Sequence, residues 1–185
     1  MDIIVIYSDL VGSTKTVHEL NSLQVRRYYR IFLNEMTNVI NDLGGSVLKF
    51  VGDCIIGFYI LPDTGWIPFI DRAITCVTLM QKVMKESINS VATSEGLPEM
   101  SSRISIDYGR AQVLKVGVEG IYTTIDFFGD VMNITSKICN FAEPSEILLG
   151  ENIWKLIYTD YIIRCDKKSS MMIKNSEYDI YSFKY

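Results

Sequence analysis

Apolar positions change their spacing several times along this chain, and each change marks an element. Residues 2–8, DIIVIYS, form a nearly continuous apolar run, as expected of a strand covered on at least one face. From about Thr16 to Leu43 the apolar positions fall three and four apart: Leu20, Leu23, Tyr28, Phe32, Met36, Val39, Ile40 and Leu43. That spacing predicts a helix with one buried face, Gln24, Arg26, Arg27 and Arg30 on its wet side, and room for a break near Asn21–Ser22. Gly44 and Gly45 stop it. In the stretch GGSVLKFVGDCIIGFY, Ser46 to Val51 and Cys54 to Tyr59 read as two strands. Gly52 and Asp53 between them suit a type II′ hairpin turn.

Beyond a loop with Pro62, Gly65, Trp66 and Pro68, helical spacing resumes over Phe69 to Val91. Residues 92–101 read as a turn. Strands are predicted at Arg103 to Tyr108 and Ala111 to Val118, joined at Gly109, with a loop over 119–129. A helix follows from about Val131 to Phe141, ended by Pro144. The tail reads as a strand at Ile147 to Leu149, a short helix near Ile153 to Tyr158, and strands near Tyr161 to Cys165 and Tyr178 to Phe183. This order predicts an α+β fold with helices on one face of a mostly antiparallel sheet.

Composition narrows the function. The 185 residues suit one domain, 1–185, and 48% hydrophobic content supplies a core. A net charge of −4 argues against a nucleic acid polymer as partner, but not against a phosphate-bearing small molecule carried with its metal. No apolar run approaches membrane-spanning length, and the N-terminal run lacks the basic flank of a signal peptide. The four cysteines are scattered without a CxxC pair, which points away from zinc or disulfides and towards a reducing cytoplasm.

Two carboxylates leave the ends of apolar strands: Asp9 in IIVIYSDLVGST and Asp53 in the hairpin. If their strands are neighbours, such a pair can hold hard divalent cations together with substrate phosphates. Gly12, Ser13 and Thr14 offer amides and hydroxyls at a helix start, where anions bind well. Three pieces in this order, DLVGST, KFVGD and IDFFGDVMNITSK, resemble the class III nucleotidyl cyclase catalytic domain, the family of adenylyl and guanylyl cyclases. The resemblance covers about residues 3–158 and more weakly the tail.

The resemblance implies a ferredoxin-like antiparallel sheet with helices packed on it. By position it implies that Asp9, Asp53 and the carbonyl of Leu10 hold two Mg²⁺ or Mn²⁺ ions. Gly12, Ser13 and Thr14 match the turn that meets the β- and γ-phosphates. Lys49 and Asp126 match the pair that recognises adenine, and Asn133 the residue that positions the ribose. Lys137 falls where the family usually has a transition-state arginine. Lys174, in a tail whose spacing fits poorly, matches a triphosphate-binding lysine. The family also builds its sites across a dimer interface. A chain carrying both residue sets is expected to be a homodimer with two equivalent sites that convert ATP to cyclic AMP and pyrophosphate. No sensor domain is expected within the chain, which leaves regulation to an unidentified partner, to dimerisation or to expression.

Plainer readings stand beside these. Lysine is a point charge rather than a bidentate clamp, so Lys137 reads either as slower positive charge one helical turn past Asn133 or as a solvated helix lysine. Strand alternation does not settle which face Lys49 takes. Asp130 reads as the N-cap of its helix, and His18, the single histidine, as a surface residue. Trp66 and Trp154 read as packing residues, while Phe127 and Phe128 either wall a base pocket or pack. Rival functions are a cyclase of other base choice (cyclic UMP, CMP or GMP), a weakly catalytic regulatory dimerisation module, and a diguanylate-cyclase or polymerase-palm relative. The KFVGD hairpin fits the class III pattern better than the last of these.

Overall fold

The computed structural model describes residues 1–185. Its first strand, β1 (Asp2–Leu10), is central and pairs antiparallel with two neighbours. A short helix α1 (Ser13–His18) leads to α2 (Ser22–Asp42). The break between them falls at Asn21, whose side chain accepts from the amides of Leu23 and Gln24 while Gln24 reaches back to the Asn21 amide. That capping box makes α2 a new helix rather than a kinked continuation.

β2 (Ser46–Val51) and β3 (Cys54–Ile60) form the expected hairpin. Gly52 takes φ 63 and Asp53 no positive φ, the II′ pattern. Next comes α3 (Ile67–Val83), which widens into a π-helical stretch over Met84–Ile88 and re-forms as α4 (Asn89–Ser94). The chain then adds β4 (Ser102–Arg110), β5 (Gln112–Val118), β6 (Tyr122–Phe128), α5 (Asp130–Cys139), β7 (Ile147–Gly150), α6 (Glu151–Trp154), α7 (Thr159–Ile162), β8 (Cys165–Ile173) and β9 (Ser176–Phe183). Seven strands form one sheet in the order β2-β3-β1-β4-β7-β9-β8, all antiparallel except β4 with β7.

The α+β class holds, with amendments. Helices lie on both faces. Ile4, Ile6, Ile55, Ile104 and Ile106 pack under α2 and α3, while Ile3, Val5 and Ile56 pack with Val131 and Met132 of α5 on the opposite side. The period-two run of β1 therefore serves two cores. The predicted β4–β5 hairpin does not form. A Cβ on Gly109 would lie 2.9 Å from the Val131 side chain, so this glycine is a close-packing point under α5 rather than a turn. Residues 122–128, expected within a loop, are strand β6, which pairs with β5 in a separate two-stranded ribbon. Tyr161 and Ile162, expected in a strand, belong to α7.

One carboxylate is sealed inside. Asp107 of β4 is fully buried and accepts the Tyr178 hydroxyl at 2.6 Å and the Ile153 amide at 3.1 Å, tying β9 and α6 to β4. Burial pushes its carboxyl up to about 6, against hydrogen bonds that pull the other way.

Candidate active site

β1 ends on Asp9, whose backbone pairs with Cys54 of β3 on one side and Arg103 of β4 on the other. Asp53 is the residue before Cys54, in the hairpin turn. The two strand-end carboxylates therefore reach the same end of the sheet from neighbouring strands. Arg103 donates to one oxygen of Asp9 from Nε at 2.9 Å and Nη2 at 2.7 Å. Asp53 accepts a hydrogen bond from the buried Ser13 hydroxyl. Gly12 takes φ 71, and its carbonyl receives the amides of Lys15 and Thr16, each at 3.1 Å. Thr14 remains exposed on this first turn.

Asp9 and Asp53 are hard oxygen donors, and no cluster of three or more His, Cys, Asp or Glu side chains accompanies them. Two carboxylates with the nearby Leu10 carbonyl fit a cation that keeps other positions for phosphate oxygens, the habit of Mg²⁺. A closed all-protein cage would need more ligands.

Lys49 and Asp126 come together although 77 residues separate them: Nζ lies 2.6 Å from Oδ2. A bulge makes this contact. The β2–β3 register shifts between Val47, opposite Gly57, and Lys49, opposite Ile56. Val47 packs in the core under α2, whereas Lys49 lies on the Ile56 side, with α5. Unbroken alternation would have put both residues on one face. Asp126 comes from β6, and its other oxygen accepts the Phe127 amide at 2.9 Å. The hydrogen bond from Lys49 is the main cause holding the Asp126 carboxyl below its ordinary range.

A cleft of about 370 Å³ runs between Asp9 and Lys49, with Tyr7, Cys54, Ser136 and Asn140 also among its lining. Burial pushes the Tyr7 hydroxyl up to about 12 and the Cys139 thiol up to about 11, so neither ionises at neutral pH. Asn133 and Lys137 lie one turn apart on the exposed face of α5, with Asn140 a further turn on. Lys137 makes no ion pair within the chain. Lys174 occupies the β8–β9 turn at φ 46 and pairs with Asp130 at the start of α5. Asp130 thus does not cap the helix: Gly129 holds the cap position, and Asp130, the first helical residue, turns its charge to Lys174.

The remaining readings resolve simply. His18 is exposed on α1 and all four cysteines are free. Trp66 and Trp154 pack against the main core. Phe127 packs edge-on to Phe58, ring centroids 4.6 Å apart, while Phe128 is exposed. Arg103 was not legible as a site residue. Its only sequence signal is a basic residue opening a strand, and its pairing with Asp9 depends on a β1–β4 register that the sequence does not print.

Comparison with known proteins gives the family and the fold. The family model of the adenylate and guanylate cyclase catalytic domain matches residues 1–184. The chain is 28% identical over 171 residues to a uridylate cyclase of Gulbenkiania mobilis, covering 88% of this chain and 66% of the relative. It is 27% identical over 157 residues to a cytidylate cyclase of Staphylococcus aureus, covering 82% and 36%. An adenylate cyclase of Anabaena cylindrica is 27% identical over 156 residues, covering 80% and 29%. The chain thus spans less than two thirds of the length of each of these relatives. Among solved structures, the adenylyl cyclase CyaB from P. aeruginosa superposes with TM-score 0.89 at 25% identity, covering 100% of this chain and 94% of that one. With the family model spanning nearly every residue and the cyclase sheet reproduced end to end, the chain belongs to the class III nucleotidyl cyclase family of catalytic domains.

Proposed function

We propose that this domain converts ATP to 3′,5′-cyclic AMP and pyrophosphate in a homodimer with two composite sites. The observation that carries the adenine reading is the ion pair of Lys49 with Asp126, of which Lys49 lines the same cleft as Asp9. An ammonium and a carboxylate offer the donor and acceptor that complement adenine N1 and its 6-amino group. In the reaction the ribose 3′-oxygen bonds to the α-phosphorus, the bond from that phosphorus to the pyrophosphate oxygen breaks, and the hydroxyl proton passes to solvent. Two Mg²⁺ or Mn²⁺ ions at Asp9, Asp53 and the Leu10 carbonyl would ease loss of that proton and offset charge on the leaving group.

The chain's own residues do the positioning, which carries most of phosphoryl-transfer catalysis. Gly12, Ser13 and Thr14 present amides and hydroxyls to the β- and γ-phosphates. Asn133 orients the ribose, Lys137 supplies positive charge at the transferring phosphorus, and Lys174 reaches the triphosphate. Arg103 pairs with the Asp9 carboxylate and orients it. Support for the dimer comes from the β5–β6 ribbon, which exposes Val116, Val118, Ile121, Tyr122 and Ile125, more apolar surface than a lone ribbon should show to water. No helix is long and apolar enough to cross a membrane, and a cytoplasmic site of action fits a nucleoside triphosphate substrate.

The relatives named as uridylate and cytidylate cyclases favour a second reading, in which the same machinery takes a pyrimidine. The test is turnover with Mn²⁺ or Mg²⁺ and each of ATP, GTP, CTP and UTP, products resolved by mass. Cyclic AMP as the main product upholds the proposal. A cyclic pyrimidine as the main product keeps the fold and metal site and replaces the base assignment. No product from folded dimer would leave a regulatory module.

A further inference from the structure

We infer that Ser13 is a positioning residue for Asp53: its hydroxyl holds one carboxylate oxygen, so that the other is presented to a divalent cation before any nucleotide arrives. This deepens the two-cation reading above and rests on it. Arg103 donates twice to Oδ2 of Asp9, and the Ser13 hydroxyl donates to Oδ2 of Asp53. Oδ1 of each remains free, one oxygen per acid for a cation. Asp53 needs such a partner more than Asp9 does. Asp9 lies within β1, paired by strands on both sides, whereas Asp53 sits in a two-residue turn after Gly52, which takes φ 63. No ion pair reaches Asp53. A turn aspartate left unheld samples several rotamers, and a cation must then select among them.

Ser13 can hold Asp53 because it is itself fixed. It is 5% exposed, although Gly12 and Thr14 on either side of it are in solvent. The chain leaves β1 at Leu10, the Val11 amide bonds the Ser101 carbonyl at 2.8 Å, and Gly12 at φ 71 turns residue 13 inward. A residue with a Cβ takes that φ only with strain. α1 has six residues, too few to be stable alone, so the Val11–Ser101 and Ser13–Asp53 bonds tie it to the start of β4 and to the β2–β3 hairpin. A serine hydroxyl has one proton to give. Given to Asp53, it is not available to a triphosphate, whereas the Ser13 amide and the exposed Thr14 hydroxyl still are. Two adjacent residues thereby divide the work: Thr14 serves the nucleotide and the Ser13 side chain serves the cation.

The test uses the whole chain. Mn²⁺ binding without nucleotide is read from loss of the free-ion paramagnetic resonance signal, and metal activation and the KM for ATP are measured beside it. Wild type should bind Mn²⁺ at millimolar concentrations or below. Ser13→Ala should weaken that binding roughly tenfold or more, as removal of a group that orients a metal ligand does. Its KM for ATP at saturating Mn²⁺ should stay within about twofold, because substrate binding loses no contact. Thr14→Ala should do the reverse, raising KM and leaving Mn²⁺ binding alone. In an Asp53→Ala chain, Ser13→Ala should have no further effect, because the oxygen it aims is gone. Ser13→Thr, which keeps the hydroxyl, should bind Mn²⁺ as wild type does. If Ser13→Ala fails to fold, Ser13→Cys, a weak donor of similar shape, takes its place. Mn²⁺ binding lost in Asp53→Ala but intact in Ser13→Ala overturns the inference and keeps the cation site. Equal binding by wild type, Asp9→Ala and Asp53→Ala removes the cation reading and the inference with it. A wild type that takes Mn²⁺ only with nucleotide present also overturns the inference, since a carboxylate aimed in advance would not wait. Raised KM with unchanged Mn²⁺ binding in Ser13→Ala would assign the hydroxyl to phosphate instead.

Discussion

Two of the molecule's three hairpins, β2–β3 and β5–β6, solve opposite problems. The β2–β3 hairpin is joined along β3 to β1, and Ile55, Ile56 and Tyr59 are buried within its own chain. The β5–β6 ribbon is paired only to itself and leaves Val116, Val118, Ile121 and Ile125 in solvent. One places its acid, Asp53, with energy available to a single chain; the other carries Asp126 on a surface that a second molecule would complete. The proposed metal end, Asp9 and Asp53, is thus preformed by the fold, whereas the proposed base end, Asp126, depends on a ribbon tied down by Lys49 and by packing of Phe127 on Phe58.

The sharpest break of that comparison acts on the preformed end. Asp9→Ala or Asp53→Ala should lower metal-dependent turnover by roughly a hundredfold or more, with sedimentation still that of a dimer. Activity unchanged in either would remove the two-cation assignment. Next in size, Val116→Asp together with Ile125→Asp should convert dimer to monomer in sedimentation and cost roughly tenfold or more in rate, while far-ultraviolet dichroism stays that of the folded chain. If a mixture of inactive Asp53→Ala and Asn133→Ala chains regains activity, the sites are shared between subunits; confirmed mixed dimers without activity would refute that.

Smaller effects sharpen the picture. Lys137→Arg should raise the rate several-fold if the position meets phosphate, because a planar guanidinium bridges two oxygens where an ammonium meets one. A strong loss would mean a pocket built for lysine. The least effect on chemistry is expected from the sealed carboxylate between β4 and β9. The native state holds the Asp107 proton up to about pH 6, above the ordinary 3.8. Its stabilising contribution is therefore complete below the unfolded value and is lost as pH rises through 6. The melting-temperature advantage of wild type over Asp107→Asn should thus shrink by roughly 5 °C between pH 4 and pH 8. A constant difference would show that Asp107 does not titrate there.

Much of this was legible from residues alone, for physical reasons. The first strand, α2 and the β2–β3 hairpin announce themselves through periodicity and through Gly52, since burial on one face forces a pattern. β6 did not: Thr123, Thr124 and Ile125 are β-branched, but two glycines flank the stretch and only Phe127 of it is buried, so no alternation marks a strand. The β4–β5 junction failed because Gly109 serves packing, a role that shows only with Val131 in place. Arg103 and the pairing of Lys174 with Asp130 are long-range facts, and nothing local encodes a partner 94 or 44 residues away.

The bulge at Leu48 gives the strand a reading frame. Side chains along a strand count in twos, and one extra residue between Val47 and Lys49 changes the parity of everything beyond it. A redesign that kept all six residues of this strand but drew it as a regular ladder would preserve Lys49 in every alignment and turn its ammonium into the layer under α2. The number of residues between Gly45 and Gly52 thus decides whether Lys49 meets Asp126, as much as the identity of the lysine does.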